Sequence, residues 1–311
     1  MSSDESRITH ASPAALEPRA RTHVTTAREW IAGARPRTLP VAVVPVAVGT
    51  AVAAADGAVI WWRSLYALIV ALALQVGTNY ANDYSDGIRG TDEHRVGPVR
   101  LVAGGLAVSR DVKAAALYSF GVAAVAGLVL AIFTTPWLLV VGIASVAAGW
   151  FYTGGPRPYG YAGFGEAFVF VFFGLVAVIG TAYVSLDRIT ALAVVAAIPI
   201  GLLSTALLVV NNLRDIEGDR RSGKHTLAVR IGPDRTRRFY AELVAGALAF
   251  VVLVAILRPG ALLALLAVVP ALPPVRRVLG GATGKDLVTA LIETSRLQVA
   301  FGALLAVGIV L

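Results

Sequence analysis

The chain has 311 residues, 57% of them hydrophobic and only 15% charged; a soluble domain carries about a quarter charged residues, so an ordinary soluble fold is excluded and an all-α polytopic membrane protein is predicted. The formal charge is +8 and 24 of the 27 basic residues are Arg, but they lie between apolar stretches rather than in one patch, which speaks for a lipid bilayer and against nucleic acid as partner. There is no cysteine, which removes disulfides, thiolate metal sites and cysteine nucleophiles, and the four scattered histidines show no metal-ligand spacing, so any metal is expected to be a hard, oxygen-loving cation.

Residues 1–27 lack apolar periodicity and read as a mobile tail, leaving 28–311 as one membrane domain. No short apolar stretch with a small-residue cleavage site stands near the start, so the first span itself is expected to direct insertion. Trp30 opens an amphipathic approach that ends in Arg35-Pro36-Arg37, a composition suited to the membrane interface.

A helix needs about 20 apolar residues to cross the hydrocarbon. By that rule nine spans are predicted in one bundle, at 38–57, 62–81, 112–132, 136–152, 163–185, 190–210, 239–257, 259–275 and 292–311. Pro136, Pro199, Pro270, Pro273 and Pro274 predict kinks or early ends. With these boundaries 24 basic residues fall on one face and three, Arg63, Arg188 and Arg258, on the other. The positive-inside rule therefore places the N-terminus and both long inter-helix loops, 82–111 and 211–238, in the cytoplasm of a bacterial cell, and any active site with them.

Both long loops begin with acids at helical spacing. In the first, Gln75, Asn79, Asn82 or Asp83, and Asp86 share a helix face, with Gly87 and Gly90 allowing a turn that brings Asp92 back towards it. In the second, Asn211, Asp215 and Asp219 stand at i, i+4 and i+8, and Asn82-x-x-x-Asp86 echoes Asn211-x-x-x-Asp215. Like charges four apart repel on an isolated helix, which makes sense when a cation neutralises them. Two such faces opposed across a bundle mouth present oxygen ligands for Mg²⁺, provided that a further ligand, most naturally a diphosphate, completes the shell. Arg89, Arg95, Arg100, Arg214, Arg220, Arg221 and Lys224 are interleaved with these acids. They suit phosphate oxygens, or serve as positive-inside anchors.

These residues resemble the UbiA superfamily of membrane prenyltransferases, whose hallmark is an Asn/Asp-rich motif after the second helix and another after the sixth. Here the two read NDYSDGIRGTD (82–92) and NNLRDIEGDRRSGKHTLAVRIG (211–232). The first departs from the common NDxxDxxxD pattern, since the acid after Asp86 is Asp92. That variant, with RPRTLP (35–40), GPVRLVAGG (97–105) and YTGGPRPYGYAGFGE (152–166), is similar to the branch that prenylates 1,4-dihydroxy-2-naphthoate in menaquinone synthesis. The resemblance implies transfer from polyprenyl diphosphate to 1,4-dihydroxy-2-naphthoate, with Mg²⁺ as cofactor and loss of CO₂ and a proton. It implies metal ligation among Asn82, Asp83, Asp86, Asn211, Asp215 and Asp219, and catalytic roles for Asp86, Asp92, Asp215, Asp219 and Lys224. Substrate contacts are expected from Arg35, Arg100, Tyr152, Arg157, Arg214 and Lys224; Tyr152 and Glu166, at the ends of flanking helices, face either the site or lipid headgroups. A different acceptor (4-hydroxybenzoate, homogentisate or a phosphosugar) keeps the same metal site, and a secondary transporter would share the intramembrane polar groups.

Overall fold

A computed structural model of the chain describes residues 24–91 and 100–311, and among them only helices, turns and bends occur. Asp92 and the 93–99 segment, like most of the 1–27 tail, lie outside the described residues. The first helix, α1 (Ala27–Ala34), starts at a capping box in which Thr26 and Glu29 satisfy each other's backbone donors. Arg35 then takes a left-handed conformation with φ 54°, and Pro36 and Pro40 start a 3₁₀ turn and α2 (Pro40–Asp56), so the chain bends by 52° between the two helical pieces.

The bundle continues through α3 (Trp61–Ile88), α4 (Ser109–Phe133) and α5 (Trp137–Phe151). A single helical span follows, made of α6 (Gly165–Val169), a π-helical segment Phe170–Val176, and α7 (Ala177–Leu186). After it come α8 (Ala191–Arg221), the short α9 (Leu227–Ile231), α10 (Pro233–Leu257), a 3₁₀ stretch Pro259–Ala267 running into α11 (Val268–Leu279), and α12 (Gly284–Val310). Every segment expected to span is helical. The number differs from nine, however: among the described residues seven helices are long and apolar enough to cross a membrane, or eight if the bent α1–α2 pair counts as one. The shortfall is α5, whose 15 residues extend only about 22 Å at 1.5 Å per residue.

Helix α8 is the centre of the bundle: 72% of its most apolar stretch is buried, against 28% to 39% for the other six spans. It packs on α10, α12 and the π-helical segment, while α3 packs on α4. The contact with the π-helical segment is made by glycine, since a Cβ on Gly174 would lie 2.5 Å from the Cα of Gly201; close backbone approach replaces hydrophobic driving force in lipid. Pro199 is accommodated inside α8 and Pro273 and Pro274 inside α11, whereas Pro136 caps the start of α5.

The two ends of the bundle are built differently. At one end Arg63 donates to the carbonyls of Val184 and Phe133 and pairs with Asp187 at 3.5 Å; Arg188 and Arg258 donate to Asp56 and Ala55 at the end of α2. These three are the basic residues that the charge tally set apart, and each covers helix C-terminal carbonyls. The other end holds the C-terminal ends of α3 and α8 and the loops 152–164 and 222–226.

Candidate functional site

Because α3 stays helical to Ile88, residues 75, 79, 82 and 86, at steps of four, three and four, form one stripe. All four line a cavity of about 810 Å³, within the range of small-molecule sites. The upper part of the stripe fixes the backbone that faces it: Gln75 donates to Thr38 Oγ1 at 3.1 Å, and Asn79 to Thr38 Oγ1 at 3.2 Å and the Ala34 carbonyl at 2.9 Å. Those bonds hold the α1–α2 bend, and with it Arg35, against the cavity.

The lower part carries the charge. Asn82 Oδ1 accepts from Thr153 Oγ1 at 2.8 Å. Asp86 Oδ1 lies 3.0 Å from Lys224 Nζ and accepts from the Tyr161 hydroxyl, and Asp86 Oδ2 lies 3.6 Å from Arg100. Asp86, Arg100 and Lys224 are all buried, so this is a buried carboxylate with two cations, whose partners must stay together because an isolated buried charge is costly. Lys224 also sits over the Tyr161 ring, 4.8 Å from its centroid. Burial first, and Asp86 second, push the Tyr161 phenol above its ordinary range, so it remains an O–H donor at neutral pH.

Asp83, one residue off the stripe and hence rotated by about 100°, does not line the cavity. Its two oxygens accept from the backbone N–H groups of Leu101 and Val102 at 2.8 and 3.0 Å. It therefore pins the chain just after Arg100, and its expected place among the metal ligands is withdrawn. Asp92 lies outside the described residues.

On α8, Asn211, Asp215 and Asp219 line the same cavity from the opposite side. Arg214 grips Asp215 with two bonds of 2.8 Å and donates to Asn211 Oδ1 at 2.9 Å. Its side chain is buried and is not part of the cavity wall, so Arg214 neutralises the acid face instead of touching a substrate. The loop 222–226 turns Lys224 back, its backbone N–H donating to the Asp219 carbonyl at 2.8 Å. Arg220 and Arg221 are exposed, and Arg220 pairs loosely with Glu217 at 3.7 Å, as anchors would.

The YTGGPRP loop closes the mouth. Arg89 donates to the carbonyls of Thr153 and Gly155 and stacks 5.3 Å over Tyr161, while the His225 backbone N–H donates to the Tyr161 carbonyl at 2.9 Å. Tyr152 and Tyr161 line the cavity; Arg157 is exposed and stands apart from it, contrary to the expected substrate contact. Tyr161, Thr153 and Asn212 also line the cavity and are not singled out by the sequence reading; the signal for Tyr161 was an aromatic in a Gly/Pro-rich loop on the same face as the acids. Beyond this mouth the cavity continues between α3, α4, α5 and the α6–α7 span, lined by Val70, Leu74, Leu128, Leu139, Phe172 and Phe173.

The arrangement is a polar head and an apolar arm. Its acidic donors are oxygens only, which fits a hard cation. Among the described residues no three Asp, Glu or His side chains form a ready metal cluster, and the acids now face Lys224, Arg100 and Arg214. The residues therefore fit a cation that arrives with further oxygens from a ligand, bridging the α3 and α8 faces, and do not form a preassembled structural metal site.

The UbiA prenyltransferase family profile matches residues 42–286. The 1,4-dihydroxy-2-naphthoate octaprenyltransferase of Mycobacterium tuberculosis is 52% identical over 268 residues, covering 86% of this chain and 91% of that one; the protein of the same name from Mycobacterium leprae is 49% identical, covering 89% and 95%. A UbiA homolog from Archaeoglobus fulgidus, solved bound to GPP and Mg²⁺, shares the fold with a TM-score of 0.60 at 15% identity, over 89% of this chain and 99% of that one. With a multi-pass bundle, two acidic helix faces around one cavity and a family match over most of its length, the chain belongs to the UbiA prenyltransferase family.

Proposed function

We propose that the protein transfers a polyprenyl group from polyprenyl diphosphate to 1,4-dihydroxy-2-naphthoate, releasing diphosphate and CO₂ and forming a demethylmenaquinol for menaquinone synthesis. The observation that carries this reading is the shape and chemistry of one cavity, a charged head joined to an apolar arm, in a chain 52% identical to a relative named for that reaction. The domain is taken as 28–311, in the plasma membrane of a bacterial cell, with the charged head facing the cytoplasm.

The residues divide the work. Lys224, Arg100 and Arg35 supply positive charge at the head, where the diphosphate binds. Asn82, Asp86, Asn211, Asp215 and Asp219 are the ligands for a divalent ion, Mg²⁺ by analogy with the Archaeoglobus homolog. When bound, that ion supplies electrophilic pull on the diphosphate oxygens. As the allylic C–O bond breaks, its electron pair goes to the diphosphate, where Lys224 offsets the growing charge. The electron-rich ring forms the new C–C bond at the allylic carbon, and the carboxylate leaves as CO₂, its bonding pair restoring aromaticity. The apolar arm holds the prenyl chain and keeps water from the allylic carbon.

Membranes containing the protein, incubated with octaprenyl diphosphate and 1,4-dihydroxy-2-naphthoate, 4-hydroxybenzoate or homogentisate in turn, test the reading. The expected outcome is a decarboxylated prenyl naphthoquinol by mass, formed with Mg²⁺ and abolished by EDTA. A product from another acceptor only, or undiminished turnover in EDTA, overturns the acceptor or the metal assignment respectively.

A further inference from the structure

One buried acid is unused by this mechanism. Glu166, on the first turn of α6, is 6% exposed. Its Oε1 accepts from Asn212 Nδ2 at 3.0 Å, and its Oε2 is buried with no hydrogen-bond partner among the described residues. Asp86 and Asp215 each lie against a cation, but no ion pair to Glu166 occurs among the described residues. A buried carboxyl held by a single amide is expensive to keep, so its stability alone does not explain it.

What it does to its neighbour is specific. An amide has a donor end and an acceptor end, and a carboxyl oxygen that accepts from it selects which end points where. Glu166 takes the NH₂ of Asn212, leaving Asn212 Oδ1 without a hydrogen-bond partner among the described residues, on a residue that lines the cavity. Tyr152, which also lines the cavity, is the aromatic wall beside it: a Cβ on Gly165, the residue before Glu166, would lie 3.2 Å from the Tyr152 ring. The close Gly174–Gly201 contact holds the span that carries Glu166 against α8, which carries Asn212.

We propose that Glu166 is a positioning residue for the aromatic acceptor: it orients Asn212 so that an acceptor oxygen, and not an NH₂ donor, meets a phenolic hydroxyl of the substrate in the cavity. This rests on the reading of the protein as a prenyltransferase for a hydroxylated aromatic, and it names how that ring is recognised. A site built to accept a hydroxyl discriminates strongly once its polarity is wrong.

The test is a polarity exchange in the full-length protein. Glu166→Leu removes the acceptor that holds the Asn212 NH₂ and leaves the amide free to turn its donor end to the cavity. The KM for 1,4-dihydroxy-2-naphthoate is expected to rise about tenfold or more, with the KM for octaprenyl diphosphate within about twofold. In the double variant Glu166→Leu/Asn212→Asp, the introduced carboxylate offers an acceptor oxygen to the cavity whichever way it is turned; the acceptor KM is expected to return to within about threefold of the wild type. Thermal unfolding of each variant is followed alongside, and a merely structural pair would lower Tm without separating the two KM values. A rise in the diphosphate KM, an equal rise in both, or a double variant no better than the single one overturns the proposal. Failure of the wild type to prenylate the naphthoate overturns the functional reading beneath it instead, so the two failures are distinguishable.

Discussion

The acidic faces of α3 and α8 look alike as strings of residues but are neutralised in opposite ways. Asp215 on α8 is held by Arg214, the residue before it, through two bonds of 2.8 Å. Asp86 on α3 is held by Lys224, 138 positions later in the chain, by Arg100 at 3.6 Å and by the Tyr161 hydroxyl. One face therefore carries its own counter-charge into the fold, and the other acquires it only when the loops after α3 and α8, which carry Arg100 and Lys224, close over it. The difference separates a cation inside the wall, Arg214, from cations in the cavity, Lys224 and Arg100. Only the second kind is placed to trade its carboxylate for a diphosphate.

The largest effect that follows is at Asp86. Asp86→Asn removes a proposed ligand and leaves Lys224 and Arg100 buried against an amide. Prenyl transfer is expected to fall by about 10³-fold, and stability by about 3 kcal/mol; product formation by purified protein and thermal unfolding read the two separately. Transfer within tenfold of wild type in this variant would remove the α3 face from the chemistry.

Next come the two cations, which divide the comparison. Lys224→Ala is expected to raise the KM for polyprenyl diphosphate by at least about tenfold, or about 1.4 kcal/mol of binding. Arg214→Ala is expected to lower stability by about 2–3 kcal/mol, because it removes the guanidinium that lies against the buried Asp215 carboxylate, with a smaller change in that KM. Steady-state kinetics at saturating acceptor, set beside Tm, decides it, and the reverse pattern would mean that the wall and the cavity have been misassigned.

The smallest effect is expected at Asp83. Asn in its place keeps one acceptor oxygen for the two backbone donors at Leu101 and Val102, costing about 1–2 kcal/mol in thermal unfolding, with transfer within about threefold. Loss of transfer comparable to that of Asp86→Asn would return Asp83 to the ligand set.

Much of this site was legible because helical period is a local property. Residues 75, 79, 82 and 86, and 211, 215 and 219, share faces by spacing alone, and all seven line the cavity. Period does not tell neighbouring acids apart when each has a plausible face, which is why Asp83 read as a ligand beside Asn82. Nor does it reveal which way a long side chain reaches: Arg214 folds back on its neighbour, and Arg157 projects from the loop that delivers Tyr161. The nine spans read from hydropathy differ from the seven or eight long apolar helices at α5, since hydropathy marks what is apolar and not how many residues, here 15, the helix will have.

Taken alone, the chain determined a membrane bundle without cysteine chemistry, two acidic helix faces, and a charge asymmetry whose three exceptions, Arg63, Arg188 and Arg258, cap carbonyls at the far end. These follow from composition and period, which act over a few residues. Only the tertiary structure decided that Lys224 lies on Asp86, that the Tyr161 hydroxyl reaches the same carboxylate, and that Glu166 accepts from Asn212. Each of those depends on groups 46 to 138 positions apart in sequence meeting in a low-dielectric interior, where an unpartnered polar atom is too costly to leave to chance.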